Sequence, residues 1–178
     1  MKEAISPMDY AGEILKALPG GILLTAKADG QVNPMTIGWG TIGIEWGKPI
    51  FTVFVREGRH TRLLLDKNPE FTINVPMEGT DKKILGFCGS QSGRDMDKIA
   101  ALGLHLEEPE AISVPGIREL PLTLECKVIY RQAQDLSAIP QALQERYYPQ
   151  NVSGNAADAN ADIHIAYYGE IVSAYILR

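Results

Sequence analysis

Residues 33–62 set the architecture of this chain. They read Asn33-Pro34-Met35-Thr36-Ile37-Gly38-Trp39-Gly40-Thr41-Ile42-Gly43, a turn at 45–49, an apolar strand at 50–55, and Arg56-Glu57-Gly58-Arg59-His60-Thr61-Arg62. Small residues in the first segment let a flat ring approach backbone N–H groups. The arginine, histidine and threonine side chains of the last segment suit a dianionic phosphate. The stretch therefore predicts a site for a planar ring that carries a phosphate.

The glycine spacing Gly38-x-Gly40-x-x-Gly43 also fits the fingerprint of a dinucleotide-binding turn. That fingerprint requires a helix at its end, because the pyrophosphate sits on the helix N-terminus. Here Gly47 and Pro49 follow, and both residues disfavour a helix. The sequence context therefore argues against a Rossmann fold.

Most of the elements around this stretch are strands. We predict strands at 22–26, 32–44, 50–55, 71–75, 122–130 and 163–177, short helices at 9–18, 61–68, 81–87, 94–102 and 138–148, and loops at 107–121 and 151–162. The pair Asp29-Gly30 predicts a hairpin, so that 32–44 runs back beside 22–26, interrupted at its glycines. Because strands and helices do not alternate regularly, we predict a mainly β fold, an antiparallel barrel with short inserted helices.

Three local patterns make finer predictions. Thr61 is expected near the N-cap of the helix at 61–68. Ser92 and Asp95 form a helix-start signal for 94–102, related to the capping box. The alternation of apolar and polar residues from Leu122 to Tyr130 predicts a half-buried strand.

Size and charge limit the function classes. With 178 residues and 45% hydrophobic content, the chain suits a single domain over residues 1–178. Its net charge of -5 disfavours a general nucleic-acid surface. We find no apolar run of membrane-spanning length and no signal-peptide pattern near Met1, so we expect no membrane partner and a cytoplasmic location. Cys88 and Cys126 form no CxxC, and no His/Cys/carboxylate spacing predicts a metal site.

Several separate blocks of this sequence resemble the flavin reductase-like family of FMN-binding split-barrel proteins, and within it the flavoredoxin-type branch. The blocks are Asn33-Pro34-Met35-Thr36 with Gly38-Trp39; the 49–55 strand with Arg56-x-x-Arg59-His60-Thr61; Phe71-x-Ile73-Asn74-Val75-Pro76; Cys88-Gly89-x-x-Ser92-Gly93-Arg94-Asp95-x-x-Lys98; and His164 five residues before Gly169-Glu170-Ile171-Val172. The resemblance implies a Greek-key split β-barrel that forms a homodimer and binds FMN near the subunit interface.

The resemblance also implies roles for individual residues. Those that would line the flavin ring and ribityl chain are Asn33, Met35, Thr36, Trp39, Gly40 and Thr41. Those that would hold the phosphate are Arg56, His60 and Thr61, and those that would complete the phosphate or ribityl site are Ser92, Gly93, Arg94 and Lys98. The phosphate assignment has a physical argument of its own, because a helix that starts at Thr61 offers free N–H groups. His164 is the candidate catalytic residue, although Ala161-Asp162-Ile163-His164 departs from the commoner Gly-Asp-His form of the family.

The function implied by the resemblance is that of an FMN-dependent oxidoreductase. NADH or NADPH would reduce the bound FMN, and the electrons would pass to free flavin, ferric iron or a protein acceptor. Two alternatives stay open: an FMN electron-transfer protein reduced by a protein partner, and a non-redox barrel that binds another phosphorylated ligand. Structural readings also stay open for single residues, since the arginines at 56–62 could form a solvated cluster and His164 could be a structural histidine.

Overall fold

A computed structural model describes residues 1–151 and 160–178. Across these residues the chain forms ten strands and five α-helices. The strands are β1 (Lys2–Ala4), β2 (Ile22–Ala28), β3 (Gln31–Ile37), β4 (Gly40–Glu45), β5 (Lys48–Arg56), β6 (Glu70–Val75), β7 (Leu106–Glu107), β8 (Gly116–Ile117), β9 (Leu122–Ala133) and β10 (His164–Leu177). The helices are α1 (Ala11–Ala17), α2 (His60–Lys67), α3 (Lys82–Ser90), α4 (Lys98–Leu102) and α5 (Gln141–Tyr147).

Eight of these strands form one antiparallel sheet in the order β3-β2-β6-β9-β10-β5-β4, with β1 added beside the end of β10. The fourteen-residue β10 is its longest strand, and it pairs with β9, with β5 through its first half, and with β1 through its last residues. The sheet surrounds an apolar core of residues from β2, β5, β6, β9 and β10, together with α1 and α2. Strands β7 and β8 form a separate pair.

The predicted hairpin between the first two strands is present. Asp29 and Gly30 take positive φ angles of 51° and 77°, and β3 runs back antiparallel to β2. The prediction that all of 32–44 follows β2 is wrong. The chain leaves β2 after Ile37, and β4 pairs with β5 instead, through a second two-residue turn at Trp46 and Gly47. The glycines therefore mark a passage from one edge of the sheet to the other.

One predicted helix start is confirmed and one is displaced. Arg59 is the N-cap of α2, so Thr61 lies near the cap as predicted, and it is buried in the first turn. Helix α4 begins at Lys98 with the Asp97 side chain as its cap, whereas Ser92 caps a separate turn by accepting from the Arg94 N–H at 3.2 Å. The Ser92 signal thus marks a real turn but not the helix.

Strand β9 is more deeply buried than its alternating pattern predicts. Thr123 and Glu125, the expected solvent-facing residues, are fully buried. The Glu125 carboxylate accepts from the backbone N–H groups of Glu110 and Ala111 at 2.8 and 2.7 Å, so the 107–121 segment covers this face. The loop predicted at 151–162 lies largely outside the described residues.

Candidate functional site

A cavity of about 810 Å³ opens between β3, the start of α2, the segment that joins α3 to α4, and the start of β10. Its wall carries several cationic side chains, namely those of Arg56, Arg59, Arg94 and Lys98. Asp95 and Asp162 also line the cavity, as do His60 and His164. The arrangement concentrates positive charge within a chain whose net charge is negative.

The first turn of α2 supplies backbone donors to this cavity. Arg59 at the N-cap has extended backbone angles, and its side chain makes no capping bond. Within the described residues, the N–H groups of His60 and Thr61 have no acceptor. Free N–H groups at a helix start, with the positive end of the helix dipole, form an anion site. The cationic side chains around it add to the same attraction.

Gln31 ties this helix start to the segment between α3 and α4. Its Nε2 donates to the Gly93 carbonyl at 2.7 Å, and its Oε1 lies 2.8 Å from His60 Nε2. A carbonyl can only accept, so the amide orientation of Gln31 is fixed and His60 Nε2 must be the donor. The other ring nitrogen, His60 Nδ1, is buried and has no partner among the described residues. Burial, and then the charges of Arg94 and Lys98, lower the pKa of His60.

Asn33 forms the floor beside this network. Its side chain is buried, and its Nδ2 donates to Thr61 Oγ1 at 2.9 Å. Its Oδ1 has no partner within the described part of the chain. Gly93 approaches so closely that a Cβ atom there would lie 2.2 Å from Asn33 Oδ1. Any side chain at position 93 would therefore force Asn33 or the 92–94 segment to move.

Arg56 closes a different part of the wall. Its guanidinium donates to the carbonyls of Tyr147, Asn160 and Asp162 at 2.6 to 2.8 Å. The Asp162 carboxylate in turn accepts from the Gly58 N–H at 2.7 Å. These bonds hold the residues that precede β10 over the cavity. The predicted contact of Arg56 with phosphate stays a prediction, and in this structure its donors serve the protein backbone.

His164 also lines the cavity and lies against Trp39. The two rings are 5.0 Å apart between centroids and tilted by 43°. Tyr148 Oη lies 2.8 Å from His164 Nδ1 and donates to Gln134 Oε1, also at 2.8 Å. Because the single hydroxyl proton goes to Gln134, His164 Nδ1 carries a proton and Nε2 is an acceptor. Burial, and then the Arg56 charge, lower the pKa of His164 to about 4, so the ring is neutral at pH 7.

Lys98 is 2% exposed although it lines the cavity. Its Nζ donates to the carbonyls of Cys88 and Gln91, each at 3.4 Å. Both bonds are long, and Lys98 forms no ion pair with a carboxylate among the described residues. Burial lowers the pKa of Lys98, and it raises the pKa of the neighbouring Cys88 thiol. The lysine is thus a buried cation that an anionic ligand would stabilise.

Most of the predicted site residues meet at this cavity. Those that line it are Asn33, Met35, Thr36, Trp39, Arg56, His60, Thr61, Ser92, Gly93, Arg94, Lys98 and His164. Gly40 and Thr41 do not line it. Gly40 borders a shallow second pocket beyond Trp39, and Thr41 pairs with Thr52 in the β4–β5 hairpin. Their assignment to the ring site is not supported by this placement.

Sequence reasoning missed some residues that organise the site. They are Gln31, Tyr148, Gln134 and Asp162. Gln31 directly follows the Asp29-Gly30 pair of the predicted hairpin, and no motif marks it. Gln134 reaches His164 through the pairing of β9 with β10, and its N–H donates to the His164 carbonyl at 3.0 Å. Tyr148 reaches the same histidine from the end of α5, a segment that no sequence block includes.

No helix in the described part of the chain is long and apolar enough to cross a membrane.

The fold and site together define a class, a small antiparallel β domain with a cationic, ligand-sized cavity. The family model described as "Flavin reductase like domain" matches residues 16–177. The chain therefore belongs to the flavin reductase-like family, as its sequence blocks predict.

Solved structures agree with this assignment. A flavoredoxin from Methanosarcina acetivorans is 25% identical, with a TM-score of 0.64 over 89% of this chain and 68% of that one. A flavin reductase-like structure from Shewanella frigidimarina, described as having a split barrel domain, is 17% identical, with a TM-score of 0.66 over 98% of this chain and 76% of that one. The predicted Greek-key split barrel with short inserted helices is thereby confirmed.

A structure described as an FMN-binding domain of a flavin reductases-like enzyme, from Shewanella baltica, is 20% identical, with a TM-score of 0.65 over 99% of this chain and 77% of that one. Among curated proteins, an uncharacterized protein from Archaeoglobus fulgidus is 30% identical over 97 residues. That match spans about half of each protein, 54% of both.

Proposed function

We propose that this protein binds FMN in the cavity and acts as an FMN-dependent oxidoreductase of the NAD(P)H:flavin or ferric reductase type. The observation that carries the proposal is the anion site at the start of α2 in a member of the flavin reductase-like family, where the N–H groups of His60 and Thr61 have no acceptor in the described part of the chain. The cavity also suits the ligand in size, because sites for ligands of this kind measure about 300–1,000 Å³.

The residues present fit FMN chemically. The dianionic phosphate would sit at the first turn of α2, where Thr61 and the backbone N–H groups donate and Arg94 and Lys98 supply charge. Asn33 and Gly93, which lie in close contact, would form the cavity floor next to the phosphate. The buried Asn33 Oδ1 has no donor within the described structure and could accept a hydrogen bond from the ligand. The flat ring would lie along β3 toward Trp39, whose side chain is 42% exposed.

When bound, FMN supplies the hydride and electron-transfer chemistry, and the protein positions it. His164 contributes a neutral ring whose Nε2 is an acceptor, so at pH 7 it can orient an N–H donor such as a carboxamide but cannot act as a proton donor from that atom. Trp39 packs against that ring, and His164 is 6% exposed. These residues favour a role in orienting a nicotinamide rather than in acid catalysis.

A second candidate function is electron transfer by bound FMN without nicotinamide. The 25% identity to the Methanosarcina acetivorans flavoredoxin favours it. Anaerobic stopped-flow mixing of the FMN-loaded protein with NADH and with NADPH separates the two functions. Rapid bleaching of the flavin absorbance by either nucleotide supports the reductase. Absence of bleaching by both, with reduction by a protein donor, supports the electron carrier.

Binding of FMN itself is tested first, by adding FMN to the purified apoprotein. We expect Thr61→Ala combined with His60→Ala to weaken FMN binding by about tenfold or more, because the hydroxyl and the imidazole that border the helix start are both lost. The matched control is Thr41→Ala, which lies outside the cavity and should leave the affinity unchanged. Protein that takes up no FMN at all would reject the proposal.

We also propose that the active form is a homodimer. Strand β4 is an edge of the sheet, and Ile44 and Trp46 at its end are 65% and 59% exposed. The Trp46 ring packs edge-on against the half-exposed ring of Tyr130, with 6.0 Å between the ring centroids, which extends the exposed apolar surface. Exposed apolar residues of this kind are common at interfaces. Light scattering of the eluting protein would give the mass, and a monomer at micromolar concentration would contradict the proposal.

A further inference from the structure

Gln31 lies outside every motif that defines the site, yet it joins the start of α2, where the phosphate is proposed to bind, to the segment between α3 and α4. It bridges the Gly93 carbonyl and His60 Nε2 with bonds of 2.7 and 2.8 Å. The Gly93 carbonyl fixes which way the Gln31 amide points, so that Gln31 Oε1 faces the His60 ring. Neutral His60 therefore carries its proton on Nε2. His60 Nδ1 is then a buried acceptor to which no group of the described residues donates. In this form His60 offers no hydrogen to an anion from Nδ1.

We propose that Gln31 is a positioning residue that holds His60 in this form, and that the cavity takes up one proton at His60 Nδ1 when a phosphate-bearing flavin binds. The inference rests on the proposed FMN function. The proton comes from the buffer, and nothing is oxidised or reduced in the step. Binding of the phosphate and charging of His60 are therefore one coupled event.

The charges around His60 explain why the proton is absent before binding. Arg94 from the α3–α4 segment, Lys98 from α4 and Lys67 from α2 all disfavour a second positive charge on the ring, and burial acts in the same direction. Arg59 and the carboxylates of Asp95 and Asp162 also line the cavity. A dianion at the start of α2 would reverse the local field, because an opposite charge within about 4–6 Å favours the charged form of a titrating group.

The coupling also gives selectivity for the phosphate ester. Riboflavin has the same ring and ribityl chain but no phosphate, so it cannot stabilise a charged His60. The same bridge holds the 92–94 segment against β3, because the Gln31 side chain on β3 donates to the Gly93 carbonyl. Loss of Gln31 should therefore weaken FMN binding while it leaves riboflavin binding almost unchanged.

Calorimetric titration of the apoprotein measures the proton directly. FMN and riboflavin are titrated near pH 7 in two buffers of different ionisation enthalpy, neither of them phosphate. For wild-type protein we expect net uptake of a fraction of a proton per FMN, and no exchange with riboflavin. His60→Asn should abolish the uptake or turn it into a small release. Release is expected there because the phosphate of FMN, with a second pKa near 6, loses its remaining proton in a cationic site.

Gln31→Met is the second variant, since it keeps a similar volume and makes neither bond. We expect about tenfold weaker FMN binding, riboflavin binding within about twofold, and a smaller proton uptake. Wild-type uptake equal to that of His60→Asn would overturn the proposal, and so would a Gln31→Met protein that matches wild type in both affinity and uptake. FMN binding without proton uptake would refute this inference but not the proposed function.

Nitrogen NMR of the apoprotein tests the ring form without any ligand. The chain has three histidines, so the His60 signals can be assigned by their absence in His60→Asn. We expect a protonated Nε2 and an unprotonated Nδ1 at pH 7.5. The same spectrum of Gln31→Met should show a mixture of the two forms. A proton on Nδ1 of the wild-type ring would overturn the proposal even if the protein bound no FMN.

Discussion

The close approach of Gly93 to Asn33 makes a single added methyl group informative. In Gly93→Ala the new Cβ would lie 2.2 Å from Asn33 Oδ1, 2.7 Å from Asn33 Cγ and 3.1 Å from His60 Cδ2. The first of these distances falls more than about 1 Å short of ordinary contact. Asn33 cannot turn away freely, because its side chain is 2% exposed and bonded to Thr61. The 92–94 segment must therefore move away from β3.

Overpacking of this kind costs about 1–3 kcal/mol. Since Gly93 sits on a connecting segment rather than in the sheet, we expect the segment to shift and the cost to appear mainly in ligand binding. It then corresponds to about 5- to 150-fold weaker FMN binding. Quenching of FMN fluorescence gives the dissociation constant, and urea unfolding of the apoprotein reports any loss of stability.

Gly86→Ala in α3 is the matched control. A Cβ there meets nothing within 4 Å, so FMN affinity should not change. Replacing a glycine inside a helix by alanine should also raise the free energy of unfolding by about 0.5–1 kcal/mol. If Gly93→Ala bound FMN as tightly as wild type and unfolded at the same urea concentration, the steric reasoning would be refuted.

Three further outcomes are expected. His164 has a folded-state pKa of about 4 against an ordinary value of 6.5, so the unfolded chain binds the proton first as the pH falls. The free energy of unfolding should therefore drop by about 3 kcal/mol from pH 6.5 to 4 because of this residue. His164→Gln should show a correspondingly smaller drop when urea unfolding is measured over that range. Gly169→Ala would place a Cβ 2.4 Å from Phe71 Cζ, and should lower the free energy of unfolding by about 1–3 kcal/mol; an unchanged urea midpoint would contradict this. Trp46→Glu should shift the mass measured by light scattering from dimer to monomer, whereas Lys82→Glu at the exposed start of α3, a helix that packs on β2 and β3, should not.

The strand framework could be predicted because its signals are local. The Asp29-Gly30 pair requires positive φ angles, and the structure has them in the hairpin of β2 and β3. The apolar run at 50–55 is buried on both sides within β5, as expected for a strand covered on both faces. Each of these features is decided by a few neighbouring residues and needs no knowledge of the remaining chain.

Burial of the polar face of β9 could not be predicted in the same way. The alternation of Thr123, Glu125 and Lys127 with apolar residues is the usual pattern of a half-exposed strand. The 107–121 segment covers that face because two of its backbone N–H groups find the Glu125 carboxylate. A carboxylate can be buried when such donors satisfy it, and the pattern of one strand does not reveal donors from another segment.

Within one short stretch of the candidate site, one feature could be predicted from the sequence and another could not. The anion site at His60 and Thr61 follows from the helix that starts there, which the sequence predicts to within a residue or two. Arg56, four residues earlier, has the same apparent chemistry in the sequence, but its guanidinium binds carbonyls of Tyr147, Asn160 and Asp162, about 90 to 106 positions away. An arginine offers five donors wherever acceptors converge, so its role depends on which backbone reaches it. The pairing of β5 with β10 brings residues 160–162 to Arg56, and that pairing is a property of the whole sheet.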